Sequence, residues 1–131
     1  MNDKQPTSDA DIEQASAAWL ARRAAGDAPP EWVQDLQLDW VRFGDYEATW
    51  RFVLRLCKGV ADDDRDTIGM IGADPLHDLI VTWPDAVLTS IEAEVVTNPT
   101  LLQALTTIVT QTQHIRGRID TILARHGQER L

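Results

Sequence analysis

Apolar residues recur along this chain at intervals of three and four, the period of helices with one buried face. No run of alternating β-branched residues bounded by turn signals interrupts that rhythm. The pattern predicts an all-α fold, a single-domain bundle of about six or seven helices with short helices around residues 62–82 and a long C-terminal helix. The first helix opens at Ser8, whose hydroxyl can cap unpaired N–H groups, and turns Ile12, Ala15, Trp19 and Leu20 inward. Gly26 can end it with a left-handed turn, and Arg22 and Arg23 lie near its negative pole. Pro30 opens a second helix, on which Trp32, Val33, Leu36 and Trp40 follow the helical spacing, and Gly44 closes it. From about Asp45 a third helix carries the stripe Tyr46, Thr49, Trp50, Val53, Leu54 and Cys57 as far as Gly59.

Beyond Gly59 the chain is punctuated by acids, glycines and prolines. Asp62-Asp63-Asp64-Arg65-Asp66 reads as an acidic cap to a short helix that carries Ile68 and Ile71 and stops at Gly72. Asp74-Pro75 then starts another, with Leu76, Leu79 and Ile80 inward, so that Gly72, Asp74, Pro75 and Asp78 form a structural turn. In this reading Gly72 takes a positive backbone angle and Gly69 allows close helix contact. Trp83-Pro84 opens a helix bearing Val87, Leu88, Ile91 and Val95, and Asn98-Pro99 repeats the punctuation. The last helix is expected to be the longest, because Leu101, Leu105, Ile108, Thr112, Ile115, Ile119 and Ile122 step by four and three residues, with Leu102, Val109 and Leu123 widening the seam. Residues 1–7 are expected to be a flexible polar arm and residues 8–131 one helical domain.

At 131 residues, 44% of them hydrophobic and 25% charged, the chain has the size and composition of one globular core. The net charge of −9 is unevenly placed: residues 1–100 carry 19 acids against 8 bases, and residues 101–131 carry 2 against 4. Such an acidic body argues against direct binding of nucleic acid, which rests on neutralising phosphates, and favours partners with basic surfaces. A single cysteine, Cys57, excludes an intramolecular disulfide and a cysteine-rich zinc site. With no apolar run near the roughly 20 residues of a membrane span and no signal-peptide pattern in MNDKQPTSDAD, the expected location is the cytoplasm, away from membranes.

Candidate chemistry can be tested by spacing. Asp62, Asp64 and Asp66 match the first oxygen ligands of an EF-hand loop, but Thr67 stands where the loop needs glycine and Ala73 where it needs a bidentate glutamate. Gly69 and Gly72 lack the third glycine of a dinucleotide loop and the Lys-Ser/Thr pair of a P-loop. His77 and Asp78, adjacent on a helix, diverge by about 100° and are not expected to pair as a base with its orienting acid. The histidines 77, 114 and 126 lack the spacing of a helical zinc pair. The expectation is therefore no enzyme, no metal and no cofactor. Five tryptophans are many for this length; most are expected in the core, with one or two available for an exposed recognition patch.

The stretch from Tyr46 resembles a bacterial domain of unknown function found in single-domain proteins. That family combines an aromatic-rich helix, an Ile-Gly-Ala-Gly-Pro-Leu-Glu-Asp-Leu-Leu signature, an Ile-Glu segment and an Asp-Pro helix. The corresponding residues here are Trp50 and Phe52, then Ile71 to Ile80, then Ile91-Glu92, then Asn98-Pro99 with Leu105. Asp74 replaces a family glycine and His77 a family glutamate, whereas Asp78 keeps its match. The resemblance implies a compact helical domain centred on this bend and supplies no reaction.

The functional expectation is a small acidic protein-binding module, an immunity or inhibitor protein that neutralises a toxin or nuclease. Asp62, Asp63, Asp64 and Asp66 form one candidate contact group, and Asp35, Asp39 and Asp45 a second. Two alternatives remain: a homodimeric helical scaffold or adaptor joined through residues 101–122, and a phage-encoded inhibitor of a bacterial defence system that mimics nucleic-acid charge.

Overall fold

The computed structural model describes residues 7–108, 110 and 112–128. Residues 1–6 of the expected arm, and Val109 of the expected seam, lie outside the described residues. All regular structure among the described residues is helical, and it divides into two compact units, Met1–Gly59 and Val60–Leu131.

The first unit holds α1 (Asp9–Ala24), α2 (Glu31–Arg42) and α3 (Tyr46–Gly59). Ser8 caps α1 by accepting a hydrogen bond from the N–H of Asp11 at 3.2 Å. At the other end Gly26 adopts φ +79°, and the N–H of Asp27 returns to the carbonyl of Arg22 at 2.9 Å. This is a Schellman ending, and α2 repeats it: Gly44 has φ +71° and Asp45 N donates to Trp40 O at 2.7 Å. Both glycines meet the expectation. Ile12, Ala15 and Trp19 of α1, Val33 and Trp40 of α2, and Ala48, Phe52, Val53 and Leu56 of α3 are buried. The Trp40 and Phe52 rings pack at 5.4 Å between centroids.

Two inward stripes turn differently from the sequence reading. On α3, Phe52, Ala48 and Leu56 are fully buried, while Tyr46, Trp50 and Leu54 are only partly covered. This helix packs against both α1 and α2, so its buried arc is wider than the narrow stripe that a single contact face would need. On α2, Trp40 is buried but Trp32 is 48% exposed.

The second unit contains α4 (Arg65–Ile71), a π-helical turn (Gly72–Leu76), α5 (His77–Thr82), α6 (Pro84–Glu94), α7 (Pro99–Leu105) and α8 (Gln113–Arg125). Here the sequence reading needs correction: α4, the π turn and α5 follow one another without a break, so Gly72, Asp74 and Pro75 form no helix–helix corner. Gly72 has ordinary right-handed angles (φ −66°, ψ −46°). Pro75 lies inside the helical run. A proline there has no N–H for the carbonyl four residues back and crowds it. The widened turn absorbs that defect, the N–H of His77 reaching the Gly72 carbonyl five residues back.

The close-contact role expected of Gly69 falls to Gly72, and neither glycine has a positive φ. A Cβ on Gly72 would lie 2.2 Å from the Ala104 carbonyl oxygen and 2.1 Å from Thr107 Oγ1, whereas one on Gly69 would meet nothing nearer than Thr107 Cγ2 at 3.8 Å. Gly72 is thus the residue that permits close approach, there between the π turn and α7.

The Asn98-Pro99 start is as expected, Asn98 Oδ1 accepting from the N–H of Leu101 at 3.0 Å. The long helix that the seam predicts is instead two helices, α7 and α8. Threonine hydroxyls compete for the backbone where α7 stops: Thr106 Oγ1 donates to Gln103 O at 2.6 Å, and Thr107 Oγ1 to Ala104 O at 2.8 Å. The β-branched run from Thr106 to Ile108 lowers helix propensity at the same place. Seam residues Leu101, Leu105, Ile108, Ile115, Ile119 and Ile122 are nonetheless all buried, while Thr112 is exposed. Gly127, at φ +69°, ends α8 as Gly26 ends α1, with Gln128 N donating to Leu123 O at 2.9 Å.

Candidate interaction surface

The acids nominated from the sequence divide by role. Asp64 caps α4, its carboxylate accepting from Thr67 N at 3.1 Å and Thr67 Oγ1 at 2.7 Å. Asp62, Asp63 and Asp66 around it face solvent. Asp45 is likewise structural: Oδ1 accepts from Ala48 N at 3.1 Å, capping α3, and Oδ2 accepts from Thr7 Oγ1 at 3.1 Å. That same hydroxyl accepts from Trp40 Nε1 at 3.0 Å, and Arg51 holds the Thr7 carbonyl at 3.2 Å while pairing with Asp9. Together these bonds tie the segment before α1 to α2 and α3.

Asp35 and Asp39 both lie on α2. Residues four, three and four apart share one side of a helix, which aligns Trp32, Leu36, Asp39 and Phe43. Trp32 is 48% and Phe43 59% exposed, and Leu38, on the opposite flank, is 62% exposed. Asp35, between the two flanks, is exposed and makes no ion pair with a described residue. Over its length α2 carries Glu31, Asp35 and Asp39 against Arg42. Large apolar side chains in an acidic setting therefore mark this helix. The angular position of Trp32, about 80° round the helix from Trp40 at 100° per residue, is the sequence signal that separates the exposed tryptophan from the buried one.

Several acids on other helices pair with bases of the chain. In the second unit Arg118 reaches Asp85 at 3.5 Å and Glu92 at 3.4 Å, and Arg125 reaches Glu92 at 3.8 Å. Arg118 and Arg125 of α8 thus face acids of α6. In the first unit Arg55 pairs with Glu13 at 3.7 Å.

At the π turn, burial pushes the Asp74 carboxyl above the usual aspartate range, the Asp78 charge adds to the rise, and His77 offsets part of it. His77 Nδ1 lies 3.8 Å from Asp78 Oδ1, nearer than the helical divergence suggests but too far for the hydrogen bond that would orient a base. Among the described residues no group of three or more His, Cys, Asp or Glu side chains is placed to hold a metal ion. Nor is any of these helices long and apolar enough to cross a membrane.

No curated protein and no solved structure matches the chain. The family of unknown function DUF6869 matches residues 21–127, which cover α2 to α8 and the end of α1, and the chain belongs to that family.

Proposed function

We propose that this chain is a small protein-binding module that neutralises a partner with a basic surface, as an immunity or inhibitor protein does for a toxin or nuclease. The observation that carries the reading is the half-exposed Trp32 beside Asp35 on α2. Tryptophan supplies a large apolar anchor at low entropic cost, and anchors of this kind dominate the energetics of interfaces. The neighbouring carboxylates select for basic side chains and speed the encounter. Asp62, Asp63 and Asp66 form a second acidic group without exposed large apolar residues beside it, and we assign it to steering.

Capture from native lysate tests the reading with four baits: the unaltered chain, Trp32→Ala, Asp35→Asn with Asp39→Asn, and Asp62, Asp63 and Asp66 changed together to Ser. A basic protein held by the first and fourth baits and lost from the second and third is expected. Expressed alone, that partner should arrest growth, and co-expression of the unaltered chain but not of Trp32→Ala should relieve the arrest. A partner set unchanged by Trp32→Ala overturns the α2 surface, and capture that is indifferent to salt overturns the acidic contribution.

A further inference from the structure

A cavity of about 350 Å³ opens between α4 and α7 of the second unit, a size at the lower end of small-molecule sites. Ile68 and Leu102, both buried, give it an apolar floor. The exposed Arg65 and Gln128 and the half-exposed Gln103 bring polar groups to it. Among the described residues no acidic side chain lines it, although the protein as a whole carries a net charge of −9. Arg65 is the one cation that lines it among the described residues, and it makes no ion pair with any of them.

Gly69 adds an independent sign that the space is kept open. A glycine inside a helix costs about 1 kcal/mol relative to alanine. Packing does not demand it here, since a Cβ would find its nearest neighbour at an ordinary 3.8 Å. Its effect is to leave the wall of the cavity bare.

We infer that this cavity binds a small apolar carboxylate, its hydrocarbon body on Ile68 and Leu102 over Gly69 and its charge on the Arg65 guanidinium, with the amides of Gln103 and Gln128 as further donors. A guanidinium fork matches the two oxygens of a carboxylate. One cation balances one negative charge, which favours a carboxylate over a doubly charged phosphate ester. The site lies in a different unit from α2, so it stands or falls separately from the proposed protein contact.

Titration of the full chain with benzoate and with hexanoate, followed by backbone amide shifts, tests the inference. Inorganic phosphate and benzyl alcohol are the comparison arms. Saturable shifts at Ile68, Gly69, Leu102 and Thr107 are expected with at least one carboxylate, at millimolar or tighter affinity. Benzyl alcohol and phosphate should bind about tenfold or more weakly, and Arg65→Gln should weaken carboxylate binding by about the same factor. Gly69→Ala should narrow the site and weaken binding while the chain melts at an equal or higher temperature. Absence of shifts at these amides with both carboxylates overturns the site. Equal binding by benzyl alcohol, or unchanged affinity in Arg65→Gln, overturns charge recognition. Preference for phosphate overturns the carboxylate. Arg65→Gln should leave capture of a protein partner through Trp32 unchanged.

Discussion

The carbonyl oxygen of Ala104 lies 2.2 Å from where the Cβ of residue 72 would stand, so α7 and the π turn approach as closely as they do because that residue is glycine. Backbone cannot swing away as the tip of a flexible side chain can. Gly72→Ala should therefore destabilise the chain by about 1–3 kcal/mol, the range for overpacking a tight contact. Gly69→Ala, three residues earlier, should be neutral or stabilise by up to about 1 kcal/mol, because it gains helix propensity without a clash. Urea denaturation of the two variants checks the contrast, and equal effects would overturn it.

The two buried tryptophans of the first unit should respond differently to the loss of their N–H groups. Trp40 Nε1 donates to Thr7 Oγ1 at 3.0 Å, whereas Trp19 Nε1 is buried without a partner among the described residues. Replacement by phenylalanine removes similar volume from both sites. Only at Trp40 does it also remove a hydrogen bond, and at Trp19 it removes an unsatisfied donor, which by itself costs about 1–3 kcal/mol. Trp19→Phe should thus cost less stability than Trp40→Phe by equilibrium unfolding, and the reverse order would show that ring volume decides.

What could be read from the sequence follows a physical division. Local capping chemistry was legible: Ser8, Gly26, Gly44 and Asn98-Pro99 act as their residue types require, because a cap is settled within a few residues of chain. The π turn was not. Gly72 next to Asp74-Pro75 has the composition of a helix stop, but the widened turn carries the chain past the proline, and that turn packs against α7, more than 30 residues further on. The leucines and isoleucines of the seam from Leu101 to Ile122 are buried as expected and Thr112 is not, and the seam is two helices instead of one, since two short helices can carry the same spacing across a break. Steps of three and four residues place Trp32 and Trp40 on one apolar stripe, yet they stand about 80° apart round the helix, and packing decides that Trp40 is the one to face the core.

Asp74 makes the second unit sensitive to acid in a direction opposite to that of a salt-bridged carboxylate. Burial and the nearby Asp78 raise its native pKa above the ordinary 3.8. The folded state therefore binds this proton more tightly than the unfolded state does. Below the unfolded value the group exerts no penalty; as pH rises from there through the raised native value, the penalty for charging it grows to its full extent. Asp74→Asn should then be more stable than the unaltered chain at neutral pH, with the advantage shrinking to nothing as the pH falls below about 4, the unfolded aspartate range. Urea midpoints for both proteins across that window provide the measurement. An advantage that persists unchanged in acid would assign it to packing instead of charge.

The acids themselves separate contact from architecture. Asp45 and Asp64 each accept a hydrogen bond from a helix-start N–H, of Ala48 and Thr67, while Asp35 and Asp63 are exposed. Loss of such a cap costs about 0.5–2 kcal/mol. Surface changes away from special features stay within about 0.5 kcal/mol. Asp45→Ala should fall toward the upper end, because Oδ2 also holds Thr7 and through it the indole of Trp40. Thermal melts of the four single alanine variants should therefore place Asp45 and Asp64 below the unaltered chain and Asp35 and Asp63 beside it. Partner capture should show another order: Asp35→Ala should weaken binding while leaving the melt intact, and Asp64→Ala should lower the melt while leaving binding intact. If Asp35→Ala lowers the melt as much as Asp45→Ala does, its carboxylate belongs to the fold, and α2 loses its claim to an acid kept for a partner.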